Sequence, residues 1–248
     1  MTTEAAADLA DRTVLVTGGS RGIGRAIVRG ALARGARVAY CSRGDAAEEP
    51  AAGDRVLAVR ADVSREEDVH GFFAAAARAF GPPDAVVSNA GVSRQALLVH
   101  TEADALDALL SVNLTGAFLV ARAALGAFAE GGGAIVFVGS IQSEGSPRGA
   151  SAYATSKGGL GGLVRSLARD QAARGVRANQ VVTGFVETDL THDLPDEARR
   201  RVLELLPLRR LPAVEEVADV ALFLASPRSS GLNGATLHAS GGLREMLV

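Results

Sequence analysis

Short apolar, β-branched runs alternate along the chain with longer stretches whose apolar residues recur every three or four positions. That alternation is the mark of βαβ units building a parallel sheet. The runs predict strands over Thr13–Thr17, Arg37–Ser42, Val56–Arg60, Ala85–Ser88, Ala134–Gly139, Arg177–Val182 and Thr236–His238. Helical patterns fall over Ile23–Arg34, Arg65–Phe80, Ala103–Ser111, Leu114–Ala129, Ala152–Arg174, Glu197–Leu205 and Val214–Leu224. Val14-Leu15-Val16 and Ile135-Val136-Phe137-Val138 are apolar at every position, so both faces of the sheet must be covered by helices. The expectation is α/β, a doubly wound parallel sheet of about seven strands with helices on both faces.

Length keeps that picture to one unit, because α/β folds of 248 residues commonly stay single. The least regular stretch, 184–212, holds three prolines and is expected to be a loop over the substrate, carrying a short helix. A net charge of −2 with dispersed arginines argues against nucleic acid as a main partner. No apolar run reaches the roughly 18–20 residues that span a bilayer, and Met1–Asp11 lacks the order of a signal peptide, so a cytoplasmic protein is expected. The four histidines are scattered without ligand spacing, so no metal is expected. Cys41, the only cysteine, lies in an apolar run and reads as a small buried hydrophobe.

One count changes the picture. Of 26 basic residues only Lys157 is a lysine. Where arginine serves everywhere else, a lone lysine suggests a place that needs a compact ammonium with an adjustable pKa.

Thr17-Gly-Gly-Ser-Arg-Gly-Ile-Gly24 follows a strand and opens a helix. In that context Gly18 permits a tight turn, Gly22 lets backbone approach a pyrophosphate and Gly24 lets helix and sheet pack closely. Free N–H groups and the helix dipole favour the phosphate charge. An NTPase-type phosphate loop is excluded, because its lysine is missing. At the end of the second strand an acid would bind ribose hydroxyls and repel a 2′-phosphate. Ser42 stands where that acid is expected and Arg43 follows it, with Arg21 on the glycine turn. Two guanidinium groups there point to NADPH, although solvated surface arginine is the plain alternative for each. Asp45 is a further ribose candidate.

Tyr153 and Lys157 stand four residues apart, so on a helix they share a face. A nearby cation favours phenolate, lowers the tyrosine pKa and makes it a better acid for a developing alkoxide. A surface tyrosine stacked on a lysine stem is the ordinary alternative.

Thr17–Gly24 and Tyr153-Ala-Thr-Ser-Lys157 together resemble the cofactor turn and the Tyr-x-x-x-Lys motif of the short-chain dehydrogenases/reductases. Asn89-Ala90-Gly91, Ser140 and Asn113 match three further family motifs in order, and the resemblance runs from about Arg12 to Gly242. It implies a Rossmann-like domain in which Ser140 binds the carbonyl oxygen, Tyr153 donates the proton and Lys157 also binds the nicotinamide ribose. It implies that Asn113 holds a water linking Lys157 to solvent, that Asp62 and Val63 contact adenine, and that Thr188 contacts the carboxamide. Alone, Ser140 could simply end a strand, Asn113 could bend a helix and Asp62 could serve a turn. Cofactor contacts are also expected from Ser20, Arg21, Ile23, Ser42, Arg43, Gly184 and Val186, and substrate contacts from Gln142, Phe185 and Leu190. The family usually has Pro-Gly after the sixth strand; Thr183-Gly184 here makes the backbone beside the nicotinamide a place of expected difference.

Within the family the likeness is greatest to 3-oxoacyl-[acyl-carrier-protein] reductases, carried by 184–191 and 234–242. Arg174 matches a basic position that some of those enzymes use for acyl carrier protein. The junction 127–133 is acidic and neutral where basic residues are usual, which weakens steering of an acidic carrier. That raises a polyketide or other secondary-metabolite ketone as the alternative substrate, with an oxidising enzyme or a non-catalytic nucleotide-binding protein behind it. The resemblance also implies a homotetramer built on the helices near 103–129 and 152–174.

Overall fold

A computed structural model describes residues 8–44, 50–187 and 196–243. Seven strands form one wholly parallel sheet in the order β3-β2-β1-β4-β5-β6-β7. They are β1 (Thr13–Thr17), β2 (Arg37–Ser42), β3 (Val56–Arg60), β4 (Ala85–Ser88), β5 (Gly133–Ser140), β6 (Val176–Thr183) and β7 (Thr236–Ala239). The first four have the predicted bounds; β5 and β6 each run one residue further at both ends. Thr183 therefore belongs to a strand. It lies in register with Ser140 and Ala239, and its hydroxyl donates to the Gly139 carbonyl at 3.2 Å. A proline could supply neither that hydroxyl nor a backbone N–H.

Two helix layers cover the sheet. Helices α1 (Gly22–Ala33) and α7 (Val214–Ala225) bury Ile27, Val28, Ala31, Val217 and Leu222 against Val14, Val16, Val38 and Tyr40. On the opposite face α2 (Glu66–Phe80), α4 (Gly116–Ala127) and α5 (Ser151–Asp170) pack Phe72, Val120, Ala124, Leu160 and Val164 against Leu15, Ile135 and Phe137. Each such side chain contributes on the order of 1.5–3 kcal/mol by leaving water, which makes the sheet a rigid support for whatever its strand ends carry. Helix α6 (Asp196–Leu205) leads into a third, smaller core. There Leu206, Leu211 and Leu243 meet Ile141 and Val182 at the carboxyl ends of β5 and β6.

The sequence pattern suggests two separate helices near 103–129. The structure has α3 (Ala103–Leu110) running through a single π turn, Ser111–Thr115, straight into α4. By length and composition this 25-residue rod would pass for a membrane-crossing helix. Here Val120, Ala121 and Ala124 are buried in the core beneath α4. The helix predicted over 152–174 ends as α-helix at Asp170, and a 3-10 turn, Ala172–Arg174, follows it.

Candidate active site

Strand order reverses direction between β1 and β4, so their carboxyl ends open a crevice at the place where open α/β sheets bind ligands. Two segments meet in it. The Asn89 side chain donates to the carbonyls of Thr17 (2.9 Å) and Gly18 (3.2 Å), while the Thr17 hydroxyl accepts from the N–H groups of Asn89 and Ala90. Asn-Ala-Gly is thus the clamp that fixes the glycine turn.

The turn's glycines are required sterically. Gly18 and Gly22 have φ of 69° and 53°, which L side chains rarely adopt. A Cβ on Gly24 would lie 2.0 Å from the Gly18 carbonyl oxygen. Gly24 is therefore packed against the turn itself, closer to home than the helix-to-sheet contact expected. Gly19, not singled out from the sequence, passes over Tyr40 so closely that a Cβ there would come within 2.6 Å of the tyrosine Cβ. The cradle, with glycine at positions 18, 19, 22 and 24 and backed by the N-terminus of α1, fits a dinucleotide pyrophosphate. Ser20 lies on this turn, and Ile23, in the first turn of α1, packs against the first core.

Further along the crevice, Ser42 is buried and its hydroxyl donates to the Gly44 carbonyl at 3.0 Å. Beside it, β2's Cys41 is buried as expected, and burial pushes its thiol up to about 12. Burial tends to raise the Asp62 carboxyl, but it is outweighed: both N–H and hydroxyl of Ser64 donate to Oδ1, and Arg43 and Arg65 add positive charge, so the pKa is lowered. Asp62 therefore serves the turn its residue type suggested and sits at the strand edge where adenine is expected. Val63 is buried against Gly116, at the point where the π turn gives way to α4. Val186 is also buried, so it has chiefly backbone to offer a ligand. Gly184 is pressed against Ser240, and Phe185 packs on the third core. Thr188, Leu190 and Asp45 lie outside the described residues.

Tyr153 and Lys157 occupy the first turns of α5, with Ser140 facing them from the end of β5. The tyrosine is hydrogen-bonded to Ser140. Burial raises its pKa and that bond only partly offsets the rise. The expectation of a lowered tyrosine is thereby corrected for the protein alone: desolvation wins, and Tyr153 is a neutral phenol holding its proton. Lys157 is buried, its Nζ donates to the Val138 carbonyl at 2.9 Å, and burial pushes its pKa down to about 8. It still carries most of its charge at neutral pH.

That depression has a measurable consequence for stability. Because the folded pKa lies below the usual 10.5, the unfolded chain binds more protons between about pH 8 and 10.5. The buried ammonium costs stability below that window, and the cost, about 3 kcal/mol at most, disappears as pH rises through it. Denaturant titrations of wild type and Lys157→Met at pH 7 and pH 10 are expected to show the variant's advantage shrinking with pH. A constant difference would contradict the shift.

Asn113 lies in the π turn, 1% exposed. Its Oδ1 accepts from the Val92 N–H (2.8 Å), and its Nδ2 donates to the Val92 carbonyl and to Ser156 Oγ, both at 2.9 Å. The amide is thus anchored by protein groups on both its oxygen and its nitrogen, and Oδ1 keeps a second lone pair with which it could accept from a water. Ser156 in turn donates to the Tyr153 carbonyl at 2.7 Å. This buried serine, missed in the sequence, couples the π turn to the tyrosine's own helix; its place three residues after Tyr153 was the available signal. A Cβ on Gly91 would come within 3.3 Å of both Asn113 Oδ1 and Lys157 Nζ, so the glycine of Asn-Ala-Gly leaves the space these two occupy.

The loop after β5 forms the outer wall. Gln142 donates its N–H to Ser140 Oγ at 3.3 Å, and its Oε1 is buried without a hydrogen-bond partner among the described residues. Glu144 is tied to His238 of β7 by contacts of 2.9 and 3.0 Å. At the far end of the molecule Arg174 donates to the Leu125 carbonyl (2.9 Å) and to Gln171, so its guanidinium is already partly engaged.

A tyrosine, a buried lysine and a serine converging beside a glycine cradle at the sheet's switch point define the class. The chain belongs to the short-chain dehydrogenase/reductase family of oxidoreductases. A family model described as Enoyl-(Acyl carrier protein) reductase matches residues 18–244. The 3-oxoacyl-[acyl-carrier-protein] reductase FabG of Vibrio cholerae is 37% identical, over 95% of this chain and 98% of that one. The (3R)-3-hydroxyacyl-CoA dehydrogenase of Rattus norvegicus is 38% identical, over 92% of this chain and 95% of the other. A solved short-chain dehydrogenase/reductase from Serratia marcescens superposes with a TM-score of 0.90 at 32% identity, over 96% of this chain and 99% of its own.

Proposed function

We propose that the protein reduces a ketone to a secondary alcohol with NADPH, and that its substrate is a 3-oxoacyl group on an acyl carrier protein. The observation that carries the reading is the buried Lys157 beside a Tyr153 that holds its proton and is hydrogen-bonded to Ser140. The names of the relatives from Vibrio cholerae and Rattus norvegicus support a 3-oxoacyl or 3-hydroxyacyl substrate. The family model's description names enoyl reduction instead; a proton donor paired with a serine hydroxyl suits developing charge on a carbonyl oxygen better than on carbon.

NADPH, when bound, supplies the hydride to the carbonyl carbon. The Ser140 hydroxyl hydrogen-bonds the carbonyl oxygen, and Tyr153 Oη gives that oxygen its proton as the C–O bond becomes single. Lys157 opposes the negative charge left on the tyrosine oxygen and is placed to bind the nicotinamide ribose. Asn113 and Ser156 hold Tyr153's helix in register with the crevice. Gly18, Gly22 and Gly24 admit the pyrophosphate, Asp62 and Val63 border the adenine, and Arg21 and Arg43 face the 2′-phosphate. Gln142 and Phe185 line the substrate side, within one catalytic domain.

A second reading has its own support. The hydroxyacyl-CoA dehydrogenase relative is named for the opposite direction, which the same residues would run with Tyr153 as base. A polyketide or other secondary-metabolite ketone is the alternative substrate, favoured by the acidic and neutral junction 127–133. We place the enzyme in the cytoplasm as a homotetramer built on α4 and α5; light scattering at the monomer mass would count against the assembly.

The deciding experiment follows NADPH absorbance with a 3-oxoacyl carrier-protein substrate and, in parallel, a panel of cyclic and polycyclic ketones. Fast turnover of the first alone is the expected result. Preference for the panel would move the assignment to the specialised ketone, and a faster rate with NADH at equal concentration would overturn the cofactor.

A further inference from the structure

We propose that Arg60, at the end of the edge strand β3, is a third guanidinium for the 2′-phosphate of the adenosine ribose, and so a determinant of cofactor specificity. The inference rests on the NADPH reading and assigns a residue that reading does not contain.

Register carries it. In the parallel pair β2–β3, Ser42 lies opposite Arg60. Paired residues of neighbouring strands lie about 4.8 Å apart and project to the same face. The cores show which face this is: Val38 and Val56, opposite one another, both pack in the core under α1, whereas Ala39 and Leu57, Cys41 and Val59 pack on the other side. Counting by twos from Val38 and Val56, Ser42 and Arg60 fall on the α1 face. That is also the face over which the glycine turn passes, since Gly19 rests on Tyr40, two residues before Ser42. Arg21, which opens α1, is on the same side.

The electrostatic setting agrees. Ser42, where an acid would repel a phosphate, is a neutral residue turned to the Gly44 carbonyl. Helix α1 contains no acidic residue. Arg43 is drawn partly towards Asp62, whose carboxyl it helps to hold ionised. Arg60 is exposed, and its guanidinium has no hydrogen bond or ion pair among the described residues. A guanidinium with no protein partner, one strand over from the specificity position, is suited to a phosphomonoester, whose geometry its planar fork matches. A structural account of Arg60, as a solubilising charge on an edge strand, makes no distinction between nucleotides with and without the 2′-phosphate.

Calorimetric binding of 2′,5′-ADP and of ADP to the full chain provides the test. Wild type is expected to prefer 2′,5′-ADP. Arg60→Ala is expected to weaken 2′,5′-ADP about two- to fivefold, within the range for a solvent-exposed charge pair, and to leave ADP unchanged. Arg60→Lys should recover part of the loss, and the Ala variant's affinity should depend less on salt. Unchanged 2′,5′-ADP affinity in Arg60→Ala, or equal losses for both nucleotides, would overturn the role of Arg60 while leaving the NADPH reading intact. A wild type that binds both probes equally would overturn the two together.

Discussion

Replacing Tyr153 by phenylalanine is expected to lower kcat at least about a hundredfold, because general acid catalysis supplies roughly that much or more to the chemical step. Binding of 2′,5′-ADP should stay close to wild type, since the phenol oxygen is remote from the phosphate cradle. The split matters for interpretation. A fall in kcat with preserved nucleotide binding means an interaction made in the transition state, whereas a rise in KM alone would mean lost ground-state binding. Near-normal turnover would remove Tyr153 from the mechanism. The structure also says why the loss should be large: Ser140 is positioned to bind the oxygen but has no proton to spare at neutral pH, and the buried Lys157 is turned to the Val138 carbonyl.

Lys157→Arg is expected to be nearly as damaging, about a hundredfold or more in kcat, although charge is formally conserved. Lys157 is 5% exposed and is enclosed by Val138 above and the space beside Gly91 and Asn113. A planar guanidinium must push these groups apart, and overpacking of this kind typically costs 1–3 kcal/mol before any chemistry is lost. Its charge would also stop responding to pH, because arginine does not deprotonate in proteins. The measurement is kcat against pH for wild type and variant. Retained activity in Lys157→Arg would mean that position 157 needs only a positive charge, and the singular use of lysine in this chain would have no functional cause.

Much of this site was legible before the structure, for identifiable reasons. Strands β1 to β4 are apolar on both faces and bounded by glycine, proline or charge, so pattern alone gave their ends. The pairing of Tyr153 with Lys157 was legible because helical spacing is local and because the chain has only two tyrosines and one lysine. What escaped depends on distant groups. The direction of the Tyr153 shift is decided by how much protein covers the ring, which spacing cannot report. The partners of Asn113 come from 21 and 43 residues away, so nothing near it in sequence shows which groups anchor its amide. Gly19 was passed over because its need arises from Tyr40 on the neighbouring strand.

The π turn at Ser111–Thr115 makes one rod do the work of two helices set at different angles. An α-helix advances 100° per residue, so one additional residue in a turn re-aims everything beyond it. Upstream, Ala105 and Leu109 are buried; downstream, Val120, Ala121 and Ala124 are, and between them the buried Asn113 is bonded to Val92 and Ser156. The rod is a stiff shaft with a phase offset machined into it. Deleting any one residue of the turn would restore a regular helix at the cost of swinging either the core face or Asn113 out of alignment. For that reason this stretch should tolerate substitution far better than a change in length.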